Sequence, residues 1–277
     1  MLAIKHTRIY ERDGKLIQLD FKTKNNGTPV LKRVAIDNLA ERVLQDYNSK
    51  VLQEPCSLDV EHFSECYAGL EMDYQDLTHN QSILGMTVFN DCYIPVYDAD
   101  NNKAKRIPVN EGTILIDNSL LNEDQLRRGR FTHAHEIAHW LLHRHIYTIN
   151  KMQMTLFDSA IPNEPVIKCR TNDIESTGKR QLVTDDDWIE WQADYMASAL
   201  LMPKKIFTRY VTAKFKSAGM VGMCYEMGTD FEKDLWADVL SREIADIFDV
   251  SLTAAKIRLK NLNFIKEKQE YKQFSII

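Results

Sequence analysis

Apolar positions in the first 120 residues recur in two rhythms. Ile17, Leu19 and Phe21 alternate with Gln18, Asp20 and Lys22, the period of a strand with one buried face. The run RIYER precedes it, and Asp13-Gly14 between them has hairpin-turn chemistry. Asn26-Gly27 marks a second turn. The rhythm then changes: Leu39, Val43, Leu44 and Tyr47 fall at helical spacing, with Asp37 or Asn38 placed to cap. Val60, Phe63, Tyr67 and Leu70 define one face of a second helix. ILGMTVF, YIPVYD and GTILID predict three short strands, with DADNNKAK, Asp98 to Lys105, as a polar loop between the last two.

Further along, the pattern is mostly helical. A helix is predicted from Asn122 through Trp140 to His143, with Gly129 as its weak point. MQMTLF and PVIKCR are strand-like, and TNDIESTGKRQLVTDDD, residues 171–187, predicts a loop. Asp185, Asp186 and Asp187 sit where acids favour a helix start. WIEWQADYMASALLM is then a helix stopped by Pro203. SREIADIFDVSLTAAKIRLKNLNFI predicts two helices joined at Asp249-Val250-Ser251, at helix-turn-helix spacing. These elements give an α+β class with three regions: a mixed α/β stretch over 1–110, a central core over 111–215 and a helical end over 216–277.

Composition narrows the partners. Of 277 residues, 44% are hydrophobic and 27% charged, ordinary for a globular chain, and the net charge of −5 offers no basic excess for nucleic acid. Only Lys256, Arg258 and Lys260 are basic on the last helix before Leu262, so the helix pair is read as packing rather than as a DNA reader. No apolar run reaches 18 residues and MLAIKHTRIYERDGK has no apolar signal core, so no membrane role is expected. Cys56, Cys66, Cys92, Cys169 and Cys224 form an odd, scattered set without a C-x-x-C pair, which predicts a reducing, cytoplasmic setting.

The chemistry concentrates in FTHAHEIAHW, Phe131 to Trp140. His135 and His139 are one helical turn apart on the same face, so both rings can reach one metal ion. Glu136, rotated by about 100 degrees, can reach a water on that metal, the general-base position of a zinc hydrolase. Phe131, Ala134, Ile137, Ala138, Leu141 and Leu142 make the rest of the segment apolar, where titratable groups are costly without partners. Catalytic zinc takes three protein ligands and keeps an open position. Two residues compete to be the third. His145 has the spacing of H-E-x-x-H-x-x-G-x-x-H, but Leu142 stands where that pattern needs a helix-breaking glycine. Glu190 shares a helix face with Asp194, so one carboxylate can close the site while the other orients a ligand histidine. Arg127, Arg128 and Arg130 just before the motif are read as an ion-paired helix turn, and Tyr147, Tyr195, Tyr210 and His143 as candidate oxyanion donors.

RFTHAHEIAHWLLH followed by EWQADYMASALLMP resembles the ImmA/IrrE family of metallo-endopeptidases. That family shows R-F-T-x-A-H-E-x-x-H-x-L-L-H and then E-x-x-A-[DNE]-x-F-A-x-x-L-L-M-P; Met196 replaces the usual Phe here. The likeness covers residues 111–204, with a looser match at VSLTAAKIRLKNL and none over the first hundred residues. It implies a zincin-like core and Glu190 as third ligand beside His135 and His139. It also implies cleavage of a helix-turn-helix repressor of a mobile element or stress operon; with Glu136 read as catalytic base, zinc is the expected cofactor, with manganese as an in vitro substitute. The rival reading is a non-catalytic protein- or DNA-binding regulator on the same fold.

Overall fold

The computed structural model describes residues 3–12, 15–147, 166–170, 182–220 and 224–267. The Asp13-Gly14 turn, the MQMTLF stretch and residues 171–181 of the polar stretch lie outside them. Strands β1 (Ala3–Arg12) and β2 (Lys15–Thr23) pair antiparallel, and the side chains of Leu19 and Phe21 are buried. The Asn26-Gly27 turn follows; Gly27 has φ +92, a left-handed value that residues with a Cβ rarely adopt.

Helix α1 (Arg33–Asn48) buries Leu39, Val43 and Leu44 as their spacing predicts, but Asp37 and Asn38 do not cap it. The helix starts at Arg33, behind Lys32, and Asp37 lies inside it. Asp37 instead accepts hydrogen bonds from Arg258 (2.8 Å) and from the Tyr195 hydroxyl (3.1 Å), a long-range demand that no local rule reveals. The second helix is one turn, α2 (Val60–His62), widening into a π turn over Phe63–Ala68 and closed by Gly69 at φ +64.

Next come β3 (Glu71–Gln75), β4 (Ile83–Val88), β5 (Cys92–Asp98), β6 (Lys103–Val109), β7 (Thr113–Asp117) and, after the long helix, β8 (Val166–Arg170). Four of them form one mixed sheet in the order β3-β7-β4-β8; β3 runs parallel to β7, and the other two pairings are antiparallel. The expected loop from Asp98 to Lys105 shrinks to a tight turn. Asp98 accepts from the Asn101 amide, Asn102 takes φ +47, and β6 starts at Lys103 to pair with β5. The four exposed positions opening β6 hide the strand, because this hairpin buries little on its outer edge.

Helix α3 (Leu126–Tyr147) starts four residues later than its periodicity suggests, after a 3₁₀ turn over Asn118–Leu121. It packs between the sheet and α4 (Asp185–Leu201). Every residue from Thr132 to His143 is therefore buried, polar ones included. Asp185, Asp186 and Asp187 occupy the first turn of α4, and Thr184 and Asp187 form a reciprocal capping box. Pro203 ends that helix and opens α5 (Lys204–Ser217).

The predicted pair at the end is α6 (Phe231–Phe248) and α7 (Leu252–Asn261). They are flanked by β9 (Tyr225–Met227) and β10 (Ile265–Glu267), which pair in parallel. One apolar cluster runs from Leu19 to Ile265, so all three sequence regions contribute to it, and the main sheet takes strands from both sides of residue 110. The architecture is α+β. No helix among the described residues is long and apolar enough to cross a membrane.

Candidate metal centre

The His135/His139 face of α3 meets the Glu190/Asp194 face of α4. The ring Nε2 atoms of His135 and His139 lie 2.9 Å apart. One Glu190 carboxylate oxygen sits 3.4 Å from His135 Nε2 and the other 3.6 Å from His139 Nε2. The two histidines are fully buried and the Glu190 side chain is 14% exposed, enough for the cluster to touch solvent from one side.

The outer hydrogen bonds fix where the ring protons are. Asp194 Oδ1 lies 2.9 Å from His135 Nδ1, so that nitrogen donates to the carboxylate. The His139 side is settled by a relay. The Pro29 carbonyl can only accept, and Gln192 Nε2 donates to it at 2.8 Å. Gln192 therefore turns its oxygen to His143 Nε2, 3.2 Å away, which must donate. Burial holds His143 well below the usual imidazole range, so it is neutral and its Nδ1 accepts. His139 Nδ1, 3.1 Å from it, must then donate. Burial also lowers His139, and its single proton is accounted for. Both Nε2 atoms are left with lone pairs aimed at each other and at Glu190.

Such an arrangement repels itself unless something positive sits among the acceptors. Burial pushes the Glu190 carboxyl up. Positive charge beside it at His139 and His135 outweighs that and holds it well below the usual carboxylate range; with both imidazoles neutral, a bound cation would supply that charge. The separations of 2.9, 3.4 and 3.6 Å bracket the ~3.3 Å edge of a tetrahedron with metal–ligand bonds of about 2.0–2.1 Å. His135, His139 and Glu190 thus form a group able to hold a metal ion.

His145 is elsewhere: its Nε2 donates to the Gly27 carbonyl at 2.8 Å, because α3 continues unbroken through Leu142. Glu136 points to a different wall from the two ligand histidines. It is fully buried against β4, where the Thr87 hydroxyl reaches its Oε2 at 2.5 Å and its Oε1 has no hydrogen-bond partner among the described residues. Burial raises its carboxyl to about 7, against the pull of His135 and the Thr87 hydrogen bond.

Gly85 makes room for that carboxylate, since a Cβ there would come within 2.7 Å of Glu136 Oε1 and of Thr132 Cγ2. A glycine inside the strand pattern ILGMTVF is itself a sign of close approach. Thr87 and the Gln192–Pro29 relay leave no such sign, because each acts through a partner more than 45 residues away.

No family model matches the chain, and no curated protein matches it.

Of the other candidates, Arg127 and Arg130 are ion-paired with Asp246 and Asp249 and anchor α3 to α6. Tyr195 is bound to Asp37 and His143 to Gln192, which removes both from oxyanion duty. The Tyr147 hydroxyl is raised by burial and then by Asp186 and Glu190, so it stands within electrostatic reach of the cluster.

Proposed function

We propose that this chain is a zinc-dependent endopeptidase on a zincin-like core, and that its substrate is a helix-turn-helix transcriptional repressor. The observation that carries the catalytic part is the convergence of His135, His139 and Glu190 from α3 and α4 on one point, with a fully buried Glu136 beside His135 whose Oε1 has no hydrogen-bond partner among the described residues. The repressor as substrate rests on the likeness of RFTHAHEIAHWLLH and EWQADYMASALLMP to the ImmA/IrrE family.

His135, His139 and Glu190 hold the metal, and Asp194 and His143 aim the two imidazoles. Bound zinc supplies Lewis acidity, acidifying a water and polarising the scissile carbonyl. The Thr87 hydroxyl fixes one oxygen of Glu136, leaving Oε1 to take the proton from the attacking water. The same oxygen then returns the proton to the leaving amine. A carboxyl poised near neutrality suits both transfers. A regulator that only grips its partner has no use for such a group.

The test is incubation of the zinc-loaded protein with helix-turn-helix repressors encoded near its gene, read by mass spectrometry for a single cut. Glu136→Gln serves as control: it keeps both histidines and Glu190, retains zinc, and slows cleavage by about 10²–10⁴-fold. Cleavage by the variant at the wild-type rate would sink the proposal, as would an intact repressor with zinc bound to the wild type.

A further inference from the structure

Helix α6 has two unlike faces. Ala237, Leu240, Ser241, Ile244, Ala245 and Phe248 are buried against the rest of the chain. On the opposite side Phe231, Leu235 and Val239 recur every four residues and stand 82%, 56% and 55% exposed. Exposed large apolar groups are ordinary when scattered, but aligned on one helix they mark a contact surface. Glu232 and Arg242, both exposed, flank the row, and neither is in an ion pair among the described residues. Asp246, one turn beyond Arg242, is already engaged by Arg127 at 2.9 Å and closes the row.

The spacing of these residues selects their partner. Leu235 and Val239 lie two residues either side of Ala237; Glu232 and Arg242 lie five either side, roughly 7.5 Å along the axis. Positions 232, 235, 239 and 242 follow the three-four-three spacing of a helix–helix seam. In a two-fold contact, if residue i meets j, then j meets i. An antiparallel second copy centred on Ala237 therefore sets Leu235 against Val239 twice and Glu232 against Arg242 twice. A parallel copy would set Glu232 against Glu232 and Arg242 against Arg242. The charge pattern is complementary to its own inverse and to no parallel arrangement.

We propose that α6 is the interface of a symmetric homodimer, formed by antiparallel packing of Leu235 on Val239 and bounded by two Glu232–Arg242 ion pairs. One seam of four layers is smaller than a standard protein interface, so the dimer is weak and reversible.

Sedimentation equilibrium of the full chain over a wide concentration range tests this. The mass rises from 32.2 kDa toward twice that value. Glu232→Arg and Arg242→Glu each put like charges in the flanking layers and leave the protein monomeric. An equimolar mixture of the two variants, or the double variant, regains the dimer. Both positions are exposed, and matching circular dichroism melts show that folding is untouched. A wild-type chain that stays at monomer mass throughout overturns the proposal, and so does a dimer indifferent to both single reversals.

Discussion

Two buried polar clusters meet along helix α4, and they are built on opposite principles. At its C-terminal end Arg258, fully buried, pairs with Asp37 at 2.8 Å and donates through Nε to the Met202 carbonyl at 3.1 Å. The Tyr195 hydroxyl fills the second Asp37 oxygen. Cation meets anion and the pair clamps α7 to α1, with Arg258 Nη1 alone left without a partner among the described residues. Nearer the start of α4, Glu190 faces two imidazole nitrogens that also carry lone pairs. This cluster has only acceptors at its centre, and every donor it owns points outward to Asp194 or along the relay to Pro29. A neutralised buried cluster serves the fold, whereas an unneutralised one is held together by the fold for a ligand.

The contrast is sharpest in what deletion does to a metal-free protein. Arg258→Ala strands Asp37 in the core and is expected to cost about 3–5 kcal/mol in urea unfolding, while zinc stoichiometry of the folded fraction stays the same. Replacing both partners by Met and Leu should recover most of that loss. A mild effect of the single variant would erase the distinction between the clusters.

Glu190→Ala should act in the opposite sense. Zinc affinity falls by more than ~100-fold, beyond the range of a ligand's supporting partner. Yet in chelator the variant melts no lower than wild type, since a carboxylate facing lone pairs has gone. His145→Ala leaves zinc affinity unchanged. Competition titration and melting in chelator read both; an emptied site in His145→Ala would reverse the ligand assignment.

A third comparison uses pH on the metal-free protein. Burial raises Glu136 to about 7 from 4.5, so the folded state holds its proton more tightly than the unfolded state does. The stability this group contributes is full below pH 4.5 and is lost as pH rises through about 7. Gln at 136 does not titrate, so the advantage of Glu136→Gln over wild type should grow between pH 5 and 8 to about 3 kcal/mol. The buried histidines, lowered by burial, lose stability in the other direction as pH falls, equally in both proteins, and cancel from the difference. A gap that stays flat with pH would show Glu136 ionised throughout.

The smallest effect belongs to Asp194. With Ala there His135 loses the acceptor that fixes its tautomer, and zinc affinity should fall about 10–100-fold. A loss as large as that of Glu190→Ala would make Asp194 a ligand itself.

Local chemistry is what was legible beforehand. The spacing of His135 and His139 places both rings on one face in any α-helix, and Leu142 keeps α3 going past His145. The acids at the start of α4 and Pro203 at its end set that helix's limits, as the pattern requires. β6 was hidden by its polar edge, and Asp37 looked like a cap because nothing local distinguishes a capping acid from a buried one. Arg258 reads as one of the few bases of the last helix, yet it is fully buried.

The sequence by itself determined that two imidazoles and a carboxylate are presented at fixed helical angles, since such angles depend only on the 3.6-residue turn. Only the tertiary structure decided what they face. Packing of α3 between β4 and α4 brings Glu190 and Asp194 to the histidines, sets Gly85 and Thr87 around Glu136, and runs a relay from His139 to a carbonyl in the loop after Gly27. These partners are 49 to 163 residues apart in the chain. Local periodicity carries no information over such distances. The proton positions that would leave both Nε2 atoms open to a cation follow from two acceptors, the Asp194 carboxylate and the Pro29 carbonyl, which only the closed fold places there.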